Sequence, residues 1–220
     1  MASTETKTRI IAGAVACFNR EGIAQTRLQQ MADEIGMSLG NMTYHFRNKE
    51  AVMQAIWDQL ADRQRVLLAE YRVLPLFEDL ERLMRQLFEL QQAYRFFYTD
   101  TLDIMRTYPG IRAAYRQHLQ WQVLQVEGAI QFNQARGALR MAPVPGYEAT
   151  LAQQFWLMAD QWQYRQAVAG LPSDQYADYR IALWAVFIPF CTDMGLREYQ
   201  QIPADGSFFS GIRVTRDDFV

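Results

Sequence analysis

Around residues 38–49 the chain gathers side chains whose types and spacing suit contact with a nucleic-acid duplex. Asn41 presents the paired donor and acceptor that match an adenine edge. Leu39 offers an apolar tip for a thymine methyl, and Gly40 lets a backbone come close. Nearby stand groups suited to phosphate oxygens: the Thr26 hydroxyl, Tyr44, His45 and Lys49, with Thr43 beside them. Material for bond-making chemistry is scarce by comparison. Histidine occurs only at positions 45 and 118. No Ser/His/Asp or Cys/His grouping, HExxH, Glu-x-x-His pair, phosphate-cradling glycine loop or nucleotide fingerprint is present. The residues point to binding, with no catalytic site, no metal and no cofactor expected.

These side chains need rigid elements beneath them. Ile11, Ala14, Val15 and Phe18 define one face of a first helix that Gly22 stops. Thr26-x-x-Gln29 reads as a capping box opening a second helix, whose Leu28, Met31, Ala32 and Ile35 form a stripe against the first. Gly36 ends it, and Ser38 caps a third helix of about two turns anchored by Met42 and Phe46. With those two turned inward, Leu39, Gly40, Asn41, Thr43 and Tyr44 face out. Asn48 caps a fourth helix with Met53, Ile56, Trp57 and Leu60 as its stripe. Two short helices about a glycine turn form a helix-turn-helix, the geometry that seats a helix in a major groove.

The motif Gly36-Met37-Ser38-x-Gly40-Asn41-Met42-x-Tyr44-His45-Phe46-x-Asn48-Lys49-Glu50 resembles that of the TetR/AcrR bacterial transcriptional regulators, over about Thr8 to Leu60. The resemblance implies an N-terminal DNA-binding head followed by a helical domain that binds a small-molecule effector and dimerises. It also implies that Thr26, Tyr44, His45 and Lys49 contact phosphates while Arg27, Leu39, Gly40 and Asn41 approach bases. With Ser38 and Thr43 these complete the expected DNA-contact set. Many members carry an aromatic where this chain has Thr43, so that contact is expected to be weaker or replaced by a hydroxyl–phosphate bond.

The bulk properties agree. With 220 residues, 50% of them hydrophobic, the chain can bury a sizeable core; its formal net charge of −2 requires any basic surface to be local. Cys17 and Cys191 have no partner spacing, which fits a reducing cytoplasm. The polar start, Met1 to Arg9, lacks a signal peptide's apolar segment, and Ile181 to Phe190 is too short to span a membrane. Prolines at 75, 109, 143, 145, 172, 189 and 203 separate helical patterns. The reading is all-α, with about nine helices near 5–21, 27–35, 38–45, 48–72, 76–93, 95–107, 110–137, 147–169 and 174–194. Residues 1–50 form the DNA-binding domain and 51–220 the effector and dimerisation domain, with an irregular end from about 196.

In the second domain, Tyr94, Phe97, Tyr98, Met105, Trp121, Phe155 and Trp156 are the expected ligand-pocket residues, since aromatics converging from several helices form such sites. They fit an ordinary core as well. Asp100 and Asp103 suit a cationic ligand or a solvated surface, and His118 is given no role. Leu151, Met158, Trp162, Leu183, Phe187, Phe190 and Met194 recur along two apolar helices and are expected at a four-helix dimer interface. The function expected is a cytoplasmic, homodimeric, ligand-responsive repressor on a near-palindromic operator, with helix 95–107 as the lever. The alternative is a helical small-molecule-binding protein or enzyme with no DNA role.

Overall fold

The computed structural model describes residues 2–141 and 144–203. Among them the regular structure is helical, apart from one isolated bridge between Leu139 and Cys191. The order is α1 (Ala2–Glu21), α2 (Leu28–Glu34), α3 (Leu39–His45), α4 (Lys49–Tyr71), α5 (Phe77–Ala93), α6 (Arg95–Thr99), α7 (Thr101–Thr107), α8 (Pro109–Ala135), α9 (Tyr147–Ala169), α10 (Tyr176–Phe187) and α11 (Asp193–Gln201). No helix is long and apolar enough to cross a membrane among the described residues. The joint expected at Pro143, and the chain beyond Pro203, lie outside the described residues.

The apolar side chains condense into two clusters. The first joins Ile10, Ala14, Cys17 and Phe18 of α1 to Met31, Met42 and Phe46, and continues through Met53, Ile56 and Trp57 to Phe96, Phe97 and Ile104. The second gathers α5, the far half of α8, α9 and α10 around Leu83, Phe155, Leu183 and Trp184. Helix α4 belongs to both, since Leu60 lies in the first and Leu68 and Tyr71 in the second. The DNA-binding helices and α6 therefore share a core, and packing does not break at residue 50.

Three expected boundaries are corrected. The α2 start falls one residue later than the expected capping box: Arg27 is the N-cap, and Gln30 Oε1 accepts from its backbone N–H at 2.6 Å. The helix expected over 95–107 divides at Asp100 into α6 and α7. There Thr99 Oγ1 donates to the Phe96 carbonyl (3.2 Å) and Thr101 Oγ1 to that of Phe97 (2.6 Å), competing with the backbone ladder. The helix expected over 174–194 stops at Phe187, because Pro189 has no N–H to donate to the carbonyl one turn back. A short 3-10 turn follows over Ile188–Phe190, and Thr192 Oγ1 accepts from Gly195 N (3.3 Å) to start α11 within the segment expected to be irregular.

Candidate functional site

The α2–α3 turn is set by Gly36 at φ +64°, the left-handed conformation that glycine adopts without penalty. Ser38 Oγ accepts from Asn41 N (3.2 Å) to begin α3, and Phe46 N closes it on the Met42 carbonyl (2.9 Å). Met42 is fully buried and Phe46 nearly so. Because 3.6 residues make a turn, burying that pair turns Gly40, Asn41 and Tyr44 outward, while Leu39 is open because it begins the helix. Leu39 is 39% exposed, Tyr44 is 85% exposed, and Gly40 and Asn41 are exposed with them. A β-carbon on Gly40 would meet nothing within 4 Å, so no contact inside the protein requires glycine there. Thr43 Oγ1 donates to the Gly40 carbonyl at 3.0 Å, and His45 lies half-buried, edge-on to Tyr44 at 5.2 Å. Arg27 is exposed at the start of α2. So is Arg47, between α3 and α4; as a cation beside the presented helix it belongs with this face, although the sequence reading omits it.

Two of the expected phosphate contacts also bind within the protein. Thr26 is buried, and its hydroxyl donates to the Gly22 carbonyl at 2.8 Å, which braces the α1–α2 turn. Lys49 reaches back to the same turn: Nζ donates to the carbonyls of Thr26 (2.9 Å) and Ile23, and lies over the Phe18 ring. Burial holds its ammonium below the usual lysine pKa. A lysine so engaged fixes α4 against the turn. Spacing alone cannot distinguish these two uses of one basic residue.

In the helical domain, four of the expected pocket residues surround a buried polar network. His118 Nε2 donates to Gln64 Oε1 (2.6 Å), Gln122 Nε2 donates to the same oxygen (3.3 Å), and Gln64 Nε2 donates to Tyr98 OH (2.9 Å). Phe97 stacks on Trp57 at 5.6 Å, Trp121 lies 5.4 Å from His118, and Trp156 Nε1 donates to the Gln122 carbonyl at 3.0 Å. Burial, reinforced by the charge of Arg65, pushes His118 down to about 4, so the ring is neutral at physiological pH. The other expected pocket residues stand elsewhere. Tyr94 faces Arg63, Met105 packs in the cluster shared with the DNA-binding helices, and Phe155 lies 5.7 Å from Phe187. Asp103 is exposed and within 3.8 Å of Arg106, while Asp100 sits at the α6–α7 break without a side-chain capping bond.

Asp160 is absent from the expected site residues, yet it lies at the meeting of four helices. It acts electrostatically on Tyr98 of α6, Tyr115 of α8 and Tyr179 of α10, and burial raises its own pKa to about 7. A signal was available: Trp156, Asp160 and Gln163 recur at i, i+4 and i+7, the spacing of an inward face.

The expected dimer residues divide by side. Leu151, Leu183 and Phe187 are buried within the subunit. Phe190 is half-buried, 5.5 Å from Tyr147. Trp162 lies edge-on to Tyr179 at 5.6 Å. Met158 and Met194 remain exposed, Met194 on α11. Helices α9 and α10 are apolar on both sides, so a periodic stripe alone does not say which side is inner. Their outer side is an open groove of about 490 Å³ lined by Leu157, Met158, Trp162, Ala182, Ala185 and Val186.

A helix-turn-helix head whose core continues into a larger helical domain defines a class of DNA-binding regulator, and the comparisons agree. The chain belongs to the TetR family of bacterial transcriptional regulators: the family model described as "Bacterial regulatory proteins, tetR family" matches residues 10–56, and the TetR "Bacterial transcriptional repressor" model matches residues 61–199. The HTH-type transcriptional regulator TtgR of Pseudomonas putida is 38% identical over 56 residues, 26% of this chain and 27% of that protein. That match spans about a quarter of the curated relative. The fold is similar to a TetR-family transcriptional regulator from Marinobacter aquaeolei (TM-score 0.76, 20% identity, 89% of this chain and 96% of that one). It is also similar to SmeT, the repressor of the Stenotrophomonas maltophilia multidrug efflux pump SmeDEF (TM-score 0.59, 18% identity, 88% and 94%).

Proposed function

We propose that this transcriptional regulator is a ligand-responsive repressor that binds a near-palindromic operator as a homodimer in the cytoplasm, without enzymatic activity. The observation that carries the reading is the outward display of Leu39, Gly40 and Asn41 on a helix pinned from behind by Met42 and Phe46. One short helix reads too few base pairs for tight specific binding, so two copies are needed, in successive major grooves about 34–36 Å apart. The groove between α9 and α10 supplies an apolar surface for pairing. Coupling runs through α6. Tyr98 joins the buried polar network, while Asn19 of α1 donates Nδ2 to the Ala93 carbonyl (2.8 Å) and accepts from Phe96 N (3.0 Å). An effector that binds a conformer with the wrong spacing between recognition helices shifts the population away from DNA.

Selection from random duplex DNA, with the protein's mass measured in solution, tests this. Enrichment of paired half-sites by a dimer is expected, with affinity falling steeply as salt rises. Unenriched DNA or a monomer would refute the operator model, and an effector that left operator affinity unchanged at saturation would refute ligand control.

Two substitutions on α3 give separable outcomes. Asn41→Ala should cost about 1–3 kcal/mol on the preferred operator and change which base is favoured at one position. Equal losses across all single-base operator variants, measured by fluorescence anisotropy, would remove Asn41 from base reading. Gly40→Ala should raise stability to unfolding by about 0.5–1 kcal/mol, because the added methyl has open space and glycine is a poor helix former. The same methyl intrudes on a closely approaching base pair and should weaken operator binding about tenfold or more. Unchanged affinity would show that α3 does not come that close.

A further inference from the structure

On the inner side of α9, Asp160 stands one turn from both Trp156 and Gln163. Among the described residues no hydrogen bond or ion pair satisfies its carboxylate, and burial alone perturbs it, with no cationic side chain offsetting the cost. It nevertheless retains part of its accessible surface. Tyr98, Tyr115 and Tyr179 approach it from three other helices. Fully buried amides share the region. Gln163 has neither amide atom partnered, and Gln91 leaves Oε1 unpartnered while its Nε2 donates to the Ala159 carbonyl (3.1 Å) and Tyr179 OH (3.4 Å). The unmet groups are mostly acceptors.

We propose that this region binds an organic ammonium ion carrying an aromatic or apolar body, with its N–H groups on Asp160 and the Gln91 and Gln163 amide oxygens. The inference rests on reading the helical domain as the effector-binding half and names the effector's chemical class. An ammonium ion supplies the counter-charge and donors these acceptors lack, and charge-assisted hydrogen bonds are the stronger kind. Tyr98, Tyr115 and Tyr179 provide ring faces that attract a cation and cover its apolar part. A neutral alcohol leaves the carboxylate without counter-charge, and a carboxylate ligand is repelled.

Tryptophan-fluorescence titration of the full chain tests the class. The probes are phenethyl-, naphthylethyl- and anthrylmethyl-ammonium, each against the alcohol and carboxylate with the same body. The expected result is an ammonium member binding at least about tenfold more tightly than its alcohol, with Asp160→Asn abolishing that preference while remaining folded by circular dichroism. Alcohols or carboxylates binding as well, no ammonium binding below millimolar, or a preference that survives Asp160→Asn would each overturn it. The titration contains no DNA, so the two readings fail separately. Ammonium binding without operator release counts against ligand control alone, whereas release by a neutral ligand in the same region counts against the ammonium assignment alone.

Discussion

Replacing Glu81 with alanine should lower unfolding stability by about 3–5 kcal/mol, because the change strands a buried guanidinium. Glu81 is fully buried on α5, and its oxygens accept from Arg180 Nε (2.9 Å to each), Trp184 Nε1 (2.7 Å) and Tyr176 OH (2.7 Å). Three donors from α10 thus converge on one side chain of α5. Alanine removes the acceptor and leaves Arg180, itself nearly buried, with an unpaired charge. At about 2–4 °C per kcal/mol for a chain of this size, the melting temperature should fall by roughly 10 °C. Glu81→Gln keeps an acceptor oxygen and the shape but loses the counter-charge, so it should fall between wild type and alanine. Urea and thermal unfolding followed by circular dichroism measure both. A loss under about 1 kcal/mol for Glu81→Ala would mean that the network behaves like a surface ion pair.

The contrast between Glu81 and α3 shows which features a sequence exposes. Helix α3 is specified by neighbours in the chain: the glycine turn at Gly36, the Ser38 cap and the Met42/Phe46 spacing. All three signals act within about ten residues, so the outward tip was readable without a fold. Thr26 and Lys49 belong to the same segment, but the carbonyls their side chains serve approach only after α1, α2 and α4 have packed, which spacing in the chain does not reveal. The break at Asp100 is subtler. Its cause is threonine back-bonding, and nothing in the apolar pattern marks it. Pro189 and Thr192 are standard stop and start signals, so the α10 end and α11 are legible in the sequence. The inner and outer sides of α9 and α10 are not, because both sides carry large apolar residues and only neighbouring helices choose between them. Asp160 is the extreme case. Its spacing with Trp156 and Gln163 marks an inward side, but what it faces is decided only when α6, α8 and α10 pack beside it.

That packing carries a cost measurable without any ligand. The Asp160 carboxyl is raised to about 7 from the ordinary 3.8 by burial. The folded protein therefore holds this proton more tightly than the unfolded chain does. Its contribution to stability is full below about pH 4 and is lost as pH rises through about 7, where the folded state must carry a desolvated anion. Asp160→Asn removes the ionisation while keeping the shape. The variant should match wild type near pH 4 and exceed it by on the order of 3 kcal/mol above about pH 8, with the gap opening between those limits. Paired denaturation curves across that range isolate the effect, since other titrating groups are common to both proteins. A constant gap, or a less stable variant at high pH, would mean that the carboxylate is well solvated or paired when folded. Retaining an aspartate that weakens the unliganded fold at neutral pH is reasonable when the charge is used by something that binds there. The substitution that stabilises the empty protein is also the one expected to abolish recognition of an ammonium ion, the usual opposition between stability and function at a binding site.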